Sequence, residues 1–339
     1  MKKALLFIML AAFSCQFLEA QDANKPFMHC LMLDKTLSMI GQDKDRENIW
    51  PEVQDYCYNW VDGIAQSTTL VMFTYDKDLS KPEVFVINTD ADRQKAKDYI
   101  KSIKIDGKFT YISRNLRQVF EYVQKNYPSY NKRIYLLTDG KEEEQGSNIN
   151  GVLKLFDGSR SSDYNHLYYV DIKDKASKDL IDAIENNDGV TRVTGLTQVV
   201  TLHPSYSTVK YTIGNSSFTQ KFDISSSNQD VSGLVFDIMI DSVMNTQGQQ
   251  DGSINVVISP NKNISFNQIT DSSEKYSIDL TVGFDNNSQA ECDIYVSLKG
   301  HKHEDQTKEL TFEPGGFCIQ ARNQAKPVVR VKAKKGLED

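Results

Sequence analysis

The sequence predicts two folded domains in series, an α/β domain with a doubly wound, mostly parallel sheet and an all-β sandwich. From residue 27 to about 200, short apolar runs alternate with segments of helical periodicity, which is typical of a parallel sheet covered by helices on both faces. After about residue 200 the hydrophobic period changes to two, which is typical of short sandwich strands. With 339 residues, the chain is long enough for about two domains.

The strands and helices of the first domain are predicted from apolar runs and from hydrophobic periodicity. The first strand is the continuous apolar run at 27–33, a pattern that indicates burial on both faces. A helix is expected to begin at Pro51, since the missing N–H of proline costs nothing at the first helical position. Further strands are predicted at 68–76, 83–88, 133–139 and 166–172, and further helices at 91–103, 112–127 and 176–187.

The second half of the chain contains short segments that alternate strictly between apolar and polar residues. Strands of the sandwich are predicted at 234–240, 254–258, 276–284 and 291–298, separated by turns rich in Ser, Asn, Gln and Gly. Because one face of each strand is apolar, an antiparallel sandwich is expected. No catalytic group stands out in this half.

The amino terminus indicates export. Residues 1–20 have two lysines, an apolar core and a small residue, Ala20, at the expected cleavage point, which is typical of a signal peptide. Cys15 offers an alternative, lipoprotein processing with an acylated cysteine, although the residues before it fit that pattern poorly. No later run is apolar enough for a membrane helix. The predicted organisation is a signal peptide at 1–20, an α/β domain at 21–200 and a sandwich at 201–339, in a protein of the periplasm, cell surface or medium.

Charge and cysteine content narrow the class of protein. A net charge of -7, without a basic stripe, argues against nucleic-acid binding. Four cysteines remain after signal removal, Cys30, Cys57, Cys292 and Cys318. Distances along the predicted strand and helix place Cys30 and Cys57 at similar depth, so we expect them to be in contact. Whether either pair, 30–57 or 292–318, is a disulfide is left open.

The stretch FMHCLMLDKTLSMIG, residues 27–41, carries the first chemical signal, an aspartate directly after a buried strand. Asp34 and Asp139 both follow predicted strands, and the carboxyl ends of parallel strands lie at the same edge of a sheet. An Asp-Lys-Thr sequence at this place could present a phosphoryl-accepting nucleophile. That chemistry also needs a further acidic pair for magnesium, which we do not find. The alternative is a set of oxygen ligands for a divalent metal.

Three motifs in order resemble those of the von Willebrand factor A (vWA) domain, whose metal-ion-dependent adhesion site (MIDAS) is built from three loops. The first reads Asp34-Lys-Thr36-Leu-Ser38, the second is TYISRNL beginning at Thr110, and the third is YLLTDG, which contains Asp139. The resemblance covers roughly residues 27–200 and is that of an exported bacterial member. It implies the same doubly wound, Rossmann-like fold.

The resemblance also implies the ligands. Thr36 and Ser38 would bind the metal directly, and Asp34, Thr110 and Asp139 would bind it directly or through water. Oxygen donors of this kind suit Mg²⁺, or Mn²⁺ or Ca²⁺. One coordination position would be left for an acidic group of a partner.

Two further features of the sequence lie beside this site. Phe109 stands where the family usually has a small residue, and we expect it beside the metal as part of the recognition surface. The acidic run at 141–145 is expected to be a solvated loop.

Three functions are compatible with these residues. The first is an exported, non-enzymatic protein that binds a protein or surface ligand through the metal. The second is a structural or assembly component in which the metal has only a stabilising role or none. The third is a phosphohydrolase acting through Asp34, which lacks the necessary helper residues.

Overall fold

The computed structural model describes the chain in segments. They are residues 25–42, 47–64, 66–158, 165–187, 189–203, 208–213, 217–227, 234–252, 254–259, 261, 264–265, 277–285, 290–302, 305–312 and 316–323. The predicted signal peptide, including Cys15, lies outside them. No helix within these segments is long and apolar enough to cross a membrane.

The first domain is built on a six-stranded sheet with the order β3-β2-β1-β4-β5-β6. Its strands are β1 (Phe27–Asp34), β2 (Thr68–Tyr75), β3 (Glu83–Ile87), β4 (Asn131–Thr138), β5 (His166–Asp171) and β6 (Val190–Thr194). All neighbours are parallel except β2 and β3, which form an antiparallel pair at one edge. The predicted, mostly parallel sheet is therefore confirmed.

Five helices cover the two faces of this sheet. They are α1 (Trp50–Asp62), α2 (Asp90–Ser102), α3 (Ile112–Asn126), α4 (Ile149–Gly158) and α5 (Lys178–Glu185). Helices α1 and α2 pack on one face through residues such as Trp60 and Ile100, and α3, α4 and α5 pack on the other through residues such as Leu116. This arrangement is the predicted doubly wound fold. Helix α4 was not predicted, although Ile149, Val152, Leu153 and Phe156 have the i, i+3, i+4, i+7 spacing of an amphipathic helix.

The predicted contact between Cys30 and Cys57 is wrong. Both side chains are fully buried and free, but Cys30 packs with Met28 and Met32 against α3–α5, whereas Cys57 packs on the opposite face of the sheet. Successive side chains of a strand point to opposite faces, and Cys30 has the parity that points away from α1. Rise per residue gives the position of a side chain along the strand, but not the face of the sheet to which it points.

The second half is a sandwich of two sheets around one hydrophobic core, as predicted. One sheet has the order β12-β10-β14-β17-β8, with β15 on β14, and the other has the order β11-β13-β9-β7-β16. The strands are β7 (Val199–His203), β8 (Thr208–Ile213), β9 (Ser217–Ser226), β10 (Leu234–Asn245), β11 (Asn255–Ser259), β12 (Ile264–Ser265), β13 (Ser277–Asp285), β14 (Cys292–Lys302), β15 (Asp305–Glu309), β16 (Thr311–Phe312) and β17 (Gly316–Asn323). Residues such as Ile224, Phe236 and Ile294 from both sheets share the core.

Details of the sandwich differ from the expectation. Strands β8 and β17, and strands β7 and β16, are parallel, so the sheets are mixed. Cys292 and Cys318 lie on adjacent strands but are both free. Cys292 is opposite Ala321 and Cys318 is opposite Tyr295 in the ladder. An offset of this odd parity puts the two side chains on opposite faces of the sheet.

The two domains meet at β7 without a separate linker. Val199 packs in the core under α1, and the next residue, Val200, packs in the sandwich core. The Tyr56 hydroxyl on α1 donates a buried hydrogen bond of 2.6 Å to the Ser227 carbonyl. The Ser227 hydroxyl accepts from the Val199 N–H at 2.9 Å and donates to the Thr197 carbonyl at 3.0 Å.

Candidate metal centre

Two carboxylates meet at the carboxyl edge of the first sheet. Strands β1 and β4 are parallel neighbours, with Leu33 opposite Leu137. Asp34 ends β1, and Asp139 comes directly after β4. Both aspartates are fully buried, although isolated buried carboxylates are strongly disfavoured.

A chain of hydrogen bonds connects the first and third motifs. Asp34 accepts from the Thr36 N–H at 2.9 Å and from the Thr138 hydroxyl at 2.8 Å. The hydroxyl oxygens of Thr36 and Ser38 are 2.8 Å apart. Ser38 in turn donates to Asp139 Oδ1 at 2.8 Å. The carboxylates and hydroxyls of these two motifs therefore form one contiguous network.

Thr110 of the second motif lies against the third. A methyl group placed on Gly140 would be 3.1 Å from the Thr110 hydroxyl oxygen, so glycine permits this close approach. The hydroxyl does not cap α3, whose N-cap is Tyr111. The structure thus brings Asp34, Thr36, Ser38, Thr110 and Asp139 to one edge of the sheet.

Main-chain pairing fixes the first loop against the second. The Leu37 N–H donates to the Gly107 carbonyl at 2.9 Å, and the Gly107 N–H donates to the Lys35 carbonyl at 3.0 Å. An added Cβ at Gly107 would lie 2.5 Å from the Asp76 Cβ, so a side chain has no room here.

The acidic run at 141–145 is an exposed to half-exposed loop, as expected, and it also braces the second motif. Glu143 accepts from the Thr110 N–H at 2.7 Å and donates its own N–H to the Thr110 carbonyl at 2.9 Å. Glu142 accepts from the Ser113 N–H, in the first turn of α3, at 2.7 Å, and Glu144 pairs with Arg114. Three acids opposite a helix start could have signalled this, because free N–H groups attract carboxylates there.

The electrostatics of the edge reflect crowded negative charge. Burial and the neighbouring Asp139 charge raise the pKa of Asp34 to about 7, against hydrogen bonds that lower it. Oδ2 of Asp139 is buried and has no hydrogen-bond partner among the described residues. The nearest described cation is Lys173, whose Nζ is 3.4 Å from that oxygen.

The donor set is entirely oxygen. Among the described residues, no cluster of three or more His, Cys, Asp or Glu side chains is found. The edge therefore offers a carboxylate pair supplemented by hydroxyls, a set that suits a hard cation that keeps some of its waters better than it suits zinc. A cation would also satisfy the buried oxygen of Asp139.

Aromatic side chains lie beside the second motif. Phe109, immediately before Thr110, is 48% exposed, and its ring centroid is 5.9 Å from that of Tyr111. The Arg114 guanidinium lies 5.2 Å from the centre of the Tyr111 ring, a cation–π distance. The surface next to Thr110 is thus partly apolar and exposed.

Comparisons with known proteins agree on the first domain. A family model described as von Willebrand factor type A domain matches residues 30–204. Calcium-activated chloride channel regulator 1 of Mus musculus is 30% identical over 115 residues, which are 33% of this chain and 12% of that protein. The chain thus spans a small part of that relative.

Solved structures give two further similarities. The von Willebrand factor type A protein from Catenulispora acidiphila has 13% identity and a TM-score of 0.39, covering 88% of this chain and 67% of that one. Proximal thread matrix protein 1 from the mussel byssus, solved with a zinc-occupied MIDAS motif, has 15% identity and a TM-score of 0.37, covering 51% and 44%.

Proposed function

This chain belongs to the von Willebrand factor type A domain family, and from that premise we propose that it is an exported protein that binds a protein or surface ligand through a divalent metal ion. Domains of this family commonly serve in adhesion or protein interaction, and they are generally not enzymes. The bound metal ion, the export of the protein and the acidic group of the ligand are proposals that go beyond the family membership.

The proposed ligands are Asp34, Thr36, Ser38, Thr110 and Asp139, and the proposed metal is Mg²⁺, with Mn²⁺ or Ca²⁺ as alternatives. The observation that carries the proposal is the buried Asp139 Oδ2, which lacks a hydrogen bond among the described residues at the place where the three motifs converge. When bound, the metal would supply a coordination position for a carboxylate of the partner. The protein's own carboxylates and hydroxyls would hold the ion at the carboxyl edge of the sheet.

A division of labour accompanies this proposal. We assign residues 1–20 to a signal peptide, 21–200 to the metal-binding domain and 201–339 to a sandwich that positions or attaches it. Two observations support the assignment of binding to the first domain. The loops of its carboxyl edge are braced by hydrogen bonds within that domain. Among the sandwich residues whose burial is described, the buried polar side chains are Thr201 and Ser227, and neither is a carboxylate.

The test compares wild type with Asp139→Ala and with Asp55→Ala, which removes an exposed carboxylate on α1. Calorimetry with Mg²⁺ and Mn²⁺ should give an affinity more than about 100-fold lower in Asp139→Ala and unchanged in Asp55→Ala. Capture of partners from the native envelope should depend on the metal and be lost with chelator. If Asp139→Ala bound the metal as tightly as wild type, the proposed ligand set would be wrong.

The same preparations separate the alternative functions. Metal binding without any metal-dependent capture would favour a structural or assembly role in which the ion only stabilises the fold. Incubation with a phosphate ester followed by trapping of an aspartyl-phosphate would support the phosphohydrolase. We expect no such adduct, because the further acidic pair that phosphoryl transfer needs for magnesium is not found in the sequence.

A further inference from the structure

A buried lysine contacts the carboxylate pair of the candidate metal centre. Lys173 Nζ lies 3.4 Å from Asp139 Oδ2, and the two side chains are 8% and 0% exposed. Lysine is seldom this enclosed unless it is paired. The ion pair is also longer than a charge-assisted hydrogen bond of about 2.8 Å, so it neutralises Asp139 without using the oxygen's hydrogen-bonding capacity.

The loop that carries Lys173, residues 172–176, is held at several points. The Asp171 carboxylate accepts from the N–H groups of Lys175 and Ala176, each at 2.8 Å. Arg192 donates to the same carboxylate at 2.6 Å and also pairs with Asp174. The loop begins at Ile172, whose N–H donates to the Thr138 carbonyl of β4 at 2.9 Å. These hydrogen bonds therefore hold the backbone that positions Lys173 beside Asp139.

We propose that Lys173 is a built-in counter-ion that neutralises Asp139 in the metal-free protein and competes with the divalent cation for this carboxylate. The inference rests on the proposed metal site. It adds that the charge of Lys173 lowers the affinity of that site for the divalent cation. Two positive groups near one carboxylate repel each other strongly in a buried setting. Metal binding must then displace the Lys173 ammonium toward solvent or proceed against its charge.

Two opposite effects of one substitution follow. Lys173→Met retains length and apolar stem but removes the charge. Without the ammonium, the metal-free carboxylate pair loses its neutralising partner, whereas the metal-bound state loses a repulsion. Lys173→Met should therefore unfold at a lower temperature in chelator and yet bind Mg²⁺ at least about tenfold more tightly than wild type.

The experiment uses the full mature chain, Mg²⁺ alone as the probe, and two measurements: calorimetric Kd and the thermal midpoint in chelator. Lys173→Gln is a second charge-removing variant with the same expectation, should Lys173→Met not fold. Lys173→Arg keeps the charge, and Lys178→Met removes an exposed charge at the start of α5. Both controls should stay within about threefold of the wild-type Kd.

The outcomes distinguish this inference from the proposed function. Tighter binding in both charge-removing variants, with a lower midpoint in chelator, supports the counter-ion. Unchanged or weaker binding, while wild type binds Mg²⁺, overturns the counter-ion alone and leaves the metal site. Absence of Mg²⁺ binding at millimolar concentration in every variant overturns the metal site and the counter-ion together.

Discussion

The two domains differ in what they bury. Among the residues whose burial is described, every buried polar or charged side chain lies in the first domain except Thr201 and Ser227, which lie at or near the junction with the sandwich. The sandwich core consists of apolar side chains from two sheets. Buried polar groups cost stability unless they are paired. In the first domain they lie at both ends of the strands, with Asp34 and Asp139 at the carboxyl ends and Asn131 and Arg133 near the amino end of β4. The first domain therefore holds polar groups in its interior, including the carboxylate pair of the candidate site, whereas the described core of the sandwich is apolar.

The strongest test of this division is a pair of core truncations. Leu136 on β4 and Ile294 on β14 are fully buried in different domains. Replacing either by Ala should lower the free energy of unfolding of its own domain by about 2–5 kcal/mol, because a cavity remains. Calorimetry should show two transitions, each shifted by one variant only. Val257→Ala, at an exposed position, should change neither. If both variants shift both transitions equally, the domains form one cooperative unit.

A second test concerns the brace between Glu143 and Thr110 at the candidate metal centre. Glu143→Ala leaves the Thr110 N–H without its acceptor, which should cost about 1–3 kcal/mol of first-domain stability. Because Thr110 then loses its fixed position, Mg²⁺ affinity should fall about tenfold. Urea unfolding and calorimetry measure the two effects. Glu121→Ala removes an exposed acid of α3 and should change neither the stability nor the Mg²⁺ affinity. If it changed both as much as Glu143→Ala does, the net charge would be responsible.

A third test concerns the junction. Tyr56→Phe removes only the hydroxyl that donates to the Ser227 carbonyl, which then stays buried with one donor fewer. We expect the free energy that couples the two domains to fall by about 1 kcal/mol. The change should be visible as a wider separation between the two unfolding transitions. Tyr58→Phe on the same helix, at a partly exposed position, is the control. Unchanged coupling would show that the Tyr56 hydrogen bond does not contribute to the coupling of the domains.

The smallest expected effect is a pH dependence that belongs to the first domain. Burial, and then the Arg133 charge, hold the pKa of His29 well below its usual value of 6.5. His29 packs on Trp60 and Tyr135. The unfolded chain takes up a proton near pH 6.5 that the folded chain does not, so stability falls as the pH is lowered, by about 1 kcal/mol between pH 6.5 and 5.5.

The comparison of wild type with His29→Phe isolates this effect. The raised pKa of Asp34 acts in the opposite direction, since the folded state then binds the extra proton, but it acts equally in both proteins. Urea unfolding at pH 7.5, 6.5 and 5.5 should show a smaller acid loss in His29→Phe. The transition of the sandwich should be the same in both.

Local patterns predicted those features of the fold and site that depend on neighbours in sequence. The apolar run before Asp34 and the period change near residue 200 were sufficient for the fold class, and the three motifs were sufficient for the convergence at the sheet edge. Contacts between distant residues were missed. The brace between Glu143 and Thr110 joins residues 33 apart. The run of three acids is a local signal for a helix start, but it does not identify Thr110 as the partner.

The cysteines illustrate the same limit. The predicted depth of Cys30 and Cys57 used rise per residue, which is a local quantity. The face to which each points depends on which helix covers which side of the sheet, and that is set by the crossover topology. The parallel pairing of β8 with β17 likewise depends on a return of the chain from more than a hundred residues away.

Strand β7 has a mechanical consequence. Because Val199 belongs to one core and Val200 to the other, tension between a ligand held at the metal edge and an anchor on the sandwich must pass along this strand. Its antiparallel ladder with β9, from Val200 opposite Ser226 to His203 opposite Asp223, would be loaded in shear, so that its hydrogen bonds share the force. We expect single-molecule stretching between the domains to give one high-force rupture without a preceding soft extension, the response of a stiff coupling rather than a hinge.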